Sequence, residues 1–123
     1  GTPFDFTCRK QLGEDIYTDN QQLRDNRGYN HCYILKEQPS HDMVLAACLC
    51  EPVSKRRLTV MTDLPGVLLY TAGYYESPDT AVCLETQFFP DTPSHPHFPS
   101  CLLRLGNEYR QRTVYRFDLD FSE

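Results

Sequence analysis

Apolar residues along the chain fall in short runs that alternate with polar positions or stay continuous and β-branched, and Pro, Gly, Asn and Asp bound most of them. No long stretch repeats apolar residues at helical spacing, so the pattern predicts a nearly all-β protein. Expected strands cover residues 33–35, 43–50, 58–62, 67–71, 81–88, 101–104 and 112–121. The last is the clearest. Thr113, Tyr115, Phe117, Leu119 and Phe121 fall on one face, and Arg116, Asp118 and Asp120 fall on the other. This alternation predicts one buried face and one wet face.

Turn chemistry joins the runs. Leu105-Gly106-Asn107-Glu108 suits a hairpin between the last two strands. Glu51-Pro52-Val53-Ser54-Lys55 and Asp63-Leu64-Pro65-Gly66 separate apolar runs, so residues 43–71 read as an antiparallel meander. Two segments break the pattern: 11–28, rich in Asp, Asn and Gln, and 89–100, which holds four of the nine prolines. Both read as long loops, which in a compact domain are functional or disordered rather than idle connectors. With no repeat and no linker, residues 1–123 read as one piece without an internal boundary. The chain opens at Thr2-Pro3-Phe4-Asp5-Phe6 without a preceding strand, and its expected sheets lack a partner for their apolar faces. The expectation is that an N-terminal part is absent from this sequence.

Composition narrows the classes. With 40% hydrophobic and 24% charged residues, the chain has enough apolar material for a core. A net charge of −5, with Lys55-Arg56-Arg57 the one basic run, argues against nucleic acid and anionic membrane as partners. The longest clean apolar run, 43–50, is too short to span a bilayer, and no targeting segment is visible. Six cysteines permit a disulfide framework, but Cys48, Cys50, Cys83 and Cys101 lie in apolar runs and no CxxC pair exists. Reduced thiols in a cytoplasm are the favoured reading.

Three constellations offer chemistry. Glu85 stands in Ala81-Val82-Cys83-Leu84-Glu85-Thr86-Gln87-Phe88, among apolar and aromatic neighbours. A carboxylate buried there would have its pKa raised toward the range of a general base; the alternative is an outward-facing strand residue in water. His95 and His97 have the spacing of two metal ligands on an extended segment, but no third ligand cluster matches them and the flanking prolines favour a structural role. Gly28-Tyr29-Asn30-His31 groups a ring, an amide and an imidazole, a set of the kind that binds sugar hydroxyls, although on composition alone a turn with a satisfied His is the favoured reading. Phosphate loops, Ser-His-Asp arrangements and dinucleotide fingerprints are absent from the sequence.

Several of these strings are jointly distinctive. Cys83-Leu84-Glu85-Thr86-Gln87, then Phe89-Pro90-Asp91-Thr92-Pro93-Ser94-His95-Pro96 and Phe98-Pro99, resembles the C-terminal motif of the aldose 1-epimerase (galactose mutarotase) family. Gly1 through Phe6, Leu12-Gly13, Gly28-Tyr29-Asn30-His31, Pro65-Gly66-Val67, Tyr70-Thr71 and Leu103-Arg104 through Tyr109 agree in order, so the resemblance covers essentially the whole chain. It implies an all-β antiparallel supersandwich, of which residues 1–123 would be the C-terminal part. It further implies a cytoplasmic enzyme that interconverts α and β anomers of free aldoses such as galactose and glucose without metal or organic cofactor. Glu85 inherits the role of the base that takes the anomeric proton. The family's catalytic His, and a further His and Arg that bind substrate, belong to its N-terminal portion; His31, His41, His95 and His97 do not match them. Asn30 stands where the family has a sugar-binding Asp, Leu68 where it has Gln, and Thr71-Ala72-Gly73 where Thr-Gly-Asn is typical. Asn still hydrogen-bonds but Leu68 does not, and a lost bond to a hydroxyl weakens binding by about 1 kcal/mol or more. Altered sugar preference, or a non-catalytic carbohydrate-binding or interaction module, is the rival expectation.

Overall fold

The computed structural model describes residues 1–36 and 42–119; Asp120, Phe121 and His41 lie outside the described residues. The chain is all-β in class, as the pattern predicts. Its strands are β1 (Asn30–Ile34), β2 (Val44–Cys50), β3 (Arg56–Thr62), β4 (Gly66–Tyr70), β5 (Cys83–Gln87) and β6 (Thr113–Leu119). They form two three-stranded sheets, ordered β1-β4-β5 and β2-β3-β6. The chain divides into two compact units, Gly1–His31 with Leu69–Cys83, and Cys32–Leu68 with Leu84–Glu123. Among the described residues no helix is long and apolar enough to cross a membrane.

In the first unit, segment 11–28 is not the plain loop expected. It holds two short helices, α1 (Leu12–Asp15) and α2 (Gln21–Asn26). Each is too short to display a 3.6-residue repeat, so periodicity could not reveal them. The Asn20 side chain caps α2 by accepting the Gln22 N–H at 2.9 Å. Arg27, at a φ of 52°, ends it in left-handed conformation with its N–H turned back to the Arg24 and Leu23 carbonyls. Ile16 and Leu23 are buried, and Tyr29 is completely so. The Tyr29 ring meets Phe6 edge-on at 5.2 Å and Phe4 at 6.1 Å, which makes it the centre of this unit's core.

The second unit is built on the β2-β3-β6 sheet. Both pairings are antiparallel, with Leu49, Leu58 and Phe117 in one cross-strand row and Ala47, Val60 and Tyr115 in the next. A bulge between Leu45 and Ala47 shifts the register of β2. Val60, on the central strand, is fully buried.

Four sequence expectations are corrected here. Alternation sorted the faces of β6 properly, but the face expected to be buried is open: Phe117 is 77% exposed, and Tyr115 and Leu119 are exposed as well. On the supposedly wet face Asp118 is half-buried, because Arg57 Nε binds its carboxylate at 2.7 Å. Alternation sorts side chains onto faces but does not say which face another layer covers. Residues 101–104 form no strand; an apolar run there has no ladder to join, and the whole of 99–112 is exposed. The turn after it does form, with Gly106 at a φ of 86° and the Asn107 N–H bonded to the Arg104 carbonyl at 3.0 Å. Finally, the meander stops at β3, because β4 pairs between β1 and β5 instead.

Candidate functional site

Asn30 follows a tightly built corner. Gly28 has a φ of 117°, and a Cβ there would lie 2.7 Å from Thr71 Oγ1, so only glycine fits. The Thr71 hydroxyl accepts the Tyr29 N–H at 3.1 Å, and the Thr71 N–H donates to the Tyr29 carbonyl at 3.1 Å. The Tyr29 hydroxyl in turn donates to the Pro3 carbonyl at 2.9 Å. These bonds fix the start of β1, where Asn30 is half-buried and its N–H donates to His31 Nδ1 at 3.0 Å.

That bond makes Nδ1 the acceptor of the His31 ring, so Nε2 carries the hydrogen. Nε2 is buried and has no hydrogen-bond partner among the described residues. Burial holds the His31 pKa below the usual imidazole range, and the ring packs on Phe4 at 4.6 Å. His31 is therefore a half-buried ring that accepts the Asn30 backbone N–H through Nδ1.

In the second unit, Gly66 opens β4 in a close-packed place: a Cβ would stand 3.1 Å from both Cys32 Sγ and the Phe89 ring, tighter than ordinary contact. The Leu35 N–H donates to the preceding Pro65 carbonyl at 3.2 Å. Two residues after Gly66, Leu68 is half-buried on β4.

Glu85 lies at the centre of β5, the strand next to β4. Its side chain is exposed, while Leu84 and Thr86 are half-buried. The desolvation expected from its apolar sequence neighbours is thus not found. In a strand, adjacent side chains point to opposite faces, so the half-buried Leu84 and Thr86 mark the covered face that Glu85 leaves. Both neighbouring residues are nonetheless tied to β6, Leu84 through its carbonyl and Thr86 through its side chain. The Tyr115 hydroxyl donates to the Leu84 carbonyl at 2.7 Å, and the Thr86 and Thr113 hydroxyls meet at 2.6 Å. Thr113 is also 3.2 Å from the Thr62 hydroxyl, which accepts the Leu64 N–H at 3.1 Å. Sequence reasoning missed this role of Tyr115, Thr113 and Thr86, and a side-chain bond between distant strands leaves no local signal.

His95 and His97 flank one phenyl ring, with Phe98 4.8 Å from the first and 4.6 Å from the second. His95 Nε2 also lies 3.5 Å from an Asp91 carboxylate oxygen. Ring packing and that contact give the pair a structural place. Groups of three or more metal-ligating side chains do not occur among the described residues. Grooves in this unit include one of about 780 Å³ lined by Asp63, Tyr109, Arg110, Gln111 and Arg112, and another that shares Asp63, Tyr109 and Arg110 with it and runs on past Phe88 and Leu102. Neither includes Glu85 or Leu68.

Comparison with known proteins agrees with the motif strings. The aldose 1-epimerase family model matches residues 1–116. Aldose 1-epimerase of Escherichia coli strain K12 is 31% identical over 129 aligned residues, covering 95% of this chain and 37% of that protein. Galactose mutarotases of rat and human are each 32% identical over 130, covering 97% of the chain and 36% of their own length. The chain thus spans little more than a third of the curated relatives it matches. With the family model matching nearly its whole length, the chain belongs to the aldose 1-epimerase family.

Proposed function

We propose that the full-length protein is a cytoplasmic aldose 1-epimerase acting on free aldohexoses such as galactose and glucose, and that residues 1–123 are the C-terminal part of its catalytic domain. The observation that carries this reading is Glu85 itself. It stands in the motif string of a family-matched segment, with an accessible side chain between two residues that each hydrogen-bond to β6.

In the proposed reaction the Glu85 carboxylate takes the proton of the anomeric hydroxyl, and the bond between C1 and the ring oxygen breaks. An acid protonates that oxygen; the open aldehyde rotates about C1–C2, and the steps reverse to close the other anomer. The proton taken from the anomeric hydroxyl is matched by the proton given to the ring oxygen, and sugar is neither oxidised nor reduced overall, so the reaction as written needs no redox cofactor. The acid is assigned to the family's N-terminal portion, because the His residues of this sequence do not match it. Asn30 and Leu68 occupy sugar-contacting positions in this reading. Glu85 is open to solvent on this chain, so in this reading bound sugar and the rest of the protein supply the dry surroundings a base works in.

Polarimetry tests it. Full-length protein should accelerate the decay of optical rotation of fresh α-galactose, and Glu85→Gln should remove the acceleration while leaving the fold intact. An equal rate in the variant rejects Glu85 as the base. The Leu68 and Asn30 departures favour one rival, a carbohydrate-binding module without catalysis. Calorimetric binding of galactose with no acceleration by the wild type would select that rival.

A further inference from the structure

We propose that Cys48 and Cys50 form a reactive dithiol that closes reversibly into a disulfide within one strand, by exchange with a small-molecule disulfide. The two cysteines are two apart on β2, so both side chains stand on the same face, and their Sγ atoms are 3.9 Å apart. Cys48 is exposed and Cys50 is half-buried. A reagent therefore reaches Cys48 first, with Cys50 directly beside it.

Strand geometry sets the character of the bond. Two residues of extended chain separate the Cα atoms by about 6.6–6.8 Å, while disulfides span Cα distances of about 4.4–6.8 Å. Closure is therefore feasible, but only at the outer limit, after the sulfurs approach to about 2.05 Å. A bond made under such tension is more easily reduced than a structural disulfide. Position lowers the obstacle to forming it. β2 lies at the edge of its sheet, paired on one side to β3, and the bulge between Leu45 and Ala47 already bends it just before Cys48.

The exchange balances without any other reactant. The Cys48 thiolate attacks one sulfur of the small disulfide, forms a mixed disulfide and expels one thiolate. The Cys50 thiolate then attacks Cys48 Sγ, forms the Cys48–Cys50 bond and expels the second. Two protein thiols are oxidised, and one small disulfide is reduced to two thiols.

Oxidised and reduced glutathione provide the probe. Full-length reduced protein is equilibrated with the two at several ratios, acid-quenched, alkylated and digested. The expected result is a peptide bearing Cys48 and Cys50 that is lighter by two hydrogens and carries no alkyl group, and that an excess of reduced glutathione returns to the doubly alkylated form. One equivalent of phenylarsine oxide, which joins two neighbouring thiols, should likewise block both alkylations, and Cys48→Ser or Cys50→Ser should abolish that block. A lasting glutathione adduct on Cys48 beside an alkylated Cys50 would overturn the proposal. So would a dithiol that survives every ratio, or a bond from either cysteine to another one. The wild-type peptide map decides the question even if a serine variant does not fold.

Discussion

The Tyr115 hydroxyl donates to the Leu84 carbonyl at 2.7 Å, one residue before Glu85. Thr113 does the equivalent on the other side through the Thr86 hydroxyl at 2.6 Å. A side chain open to solvent thus rises from a strand held at both neighbouring positions. Tyr115→Phe keeps the ring and removes the donor. Because Tyr115 is itself partly in water, the loss of stability should be about 0.5–1 kcal/mol, measured by urea unfolding. If Glu85 is the base, its placement matters most in the transition state, so kcat should fall by about three- to tenfold with KM little changed. A drop in stability with unaltered kcat would leave the bond a purely structural one.

Thr113→Val probes the hydroxyl cluster rather than a single bond. The valine has nearly the same shape, but the half-buried Thr86 hydroxyl loses its 2.6 Å neighbour, whereas the buried Thr62 hydroxyl keeps the Arg112 carbonyl and the Leu64 N–H. Leaving such a group under-satisfied costs about 1–3 kcal/mol. Thr113→Val should therefore destabilise more than Tyr115→Phe, and equal unfolding midpoints for the two variants would contradict the cluster's importance.

The corner after β4 departs from the family pattern in a way the backbone explains. Gly73 cannot carry a side chain, since a Cβ there would lie 2.0 Å from the Arg27 carbonyl oxygen. Gly73→Ala should consequently destabilise by several kcal/mol, or prevent folding. Ala72, by contrast, is buried with a φ of 57°, a conformation that favours glycine. Ala72→Gly relieves about 1–2 kcal/mol of strain, loses a buried methyl worth about 0.8 kcal/mol, and loosens the unfolded chain by about 0.4–1 kcal/mol. These terms nearly cancel, so urea unfolding should find Ala72→Gly close to neutral.

What could be read from the sequence was local. Residues 43–50 and 58–62 announced β2 and β3 because apolar and β-branched runs between turn residues suffice to specify a strand. Cys101-Leu102-Leu103 carried the same signal and failed, since a strand also needs a partner, and partners are not local. The helices in 11–28 were hidden by brevity, although Asn20 before α2 was a readable cap. The motif singles out Glu85 but leaves open whether it is buried or faces water, and its side chain is exposed, as is Phe117 where alternation predicts burial. A linear pattern tells which side chains share a face and is silent on what covers that face.

Glu51 offers a pH test. Its carboxylate accepts the N–H groups of Val53 at 2.8 Å and Ser54 at 2.5 Å, and the bonding to Ser54, more than that to Val53, holds its pKa down at about 2. A carboxyl depressed in the folded state stabilises it fully above the ordinary carboxylate range, and this contribution fades as pH falls toward 2. Glu51→Gln should thus lower the urea midpoint at pH 6, and the gap to wild type should shrink steadily between pH 5 and pH 2. A gap independent of pH would show that the turn does not depend on the ionised form.

Leu68→Gln restores the residue typical of the family at a half-buried position on β4. Leucine offers a bound sugar no hydrogen bond, whereas glutamine offers both a donor and an acceptor. One regained bond to a hydroxyl is worth about 0.5–1.5 kcal/mol, which corresponds to a KM for galactose lower by about two- to tenfold. The exchange also takes leucine's apolar surface out of a partly covered site, so stability should decline slightly even as sugar binding improves. Opposite changes in the two quantities are the signature of a position that contacts ligand. If stability falls and KM does not, Leu68 belongs to the packing of β4 and the sugar is held elsewhere.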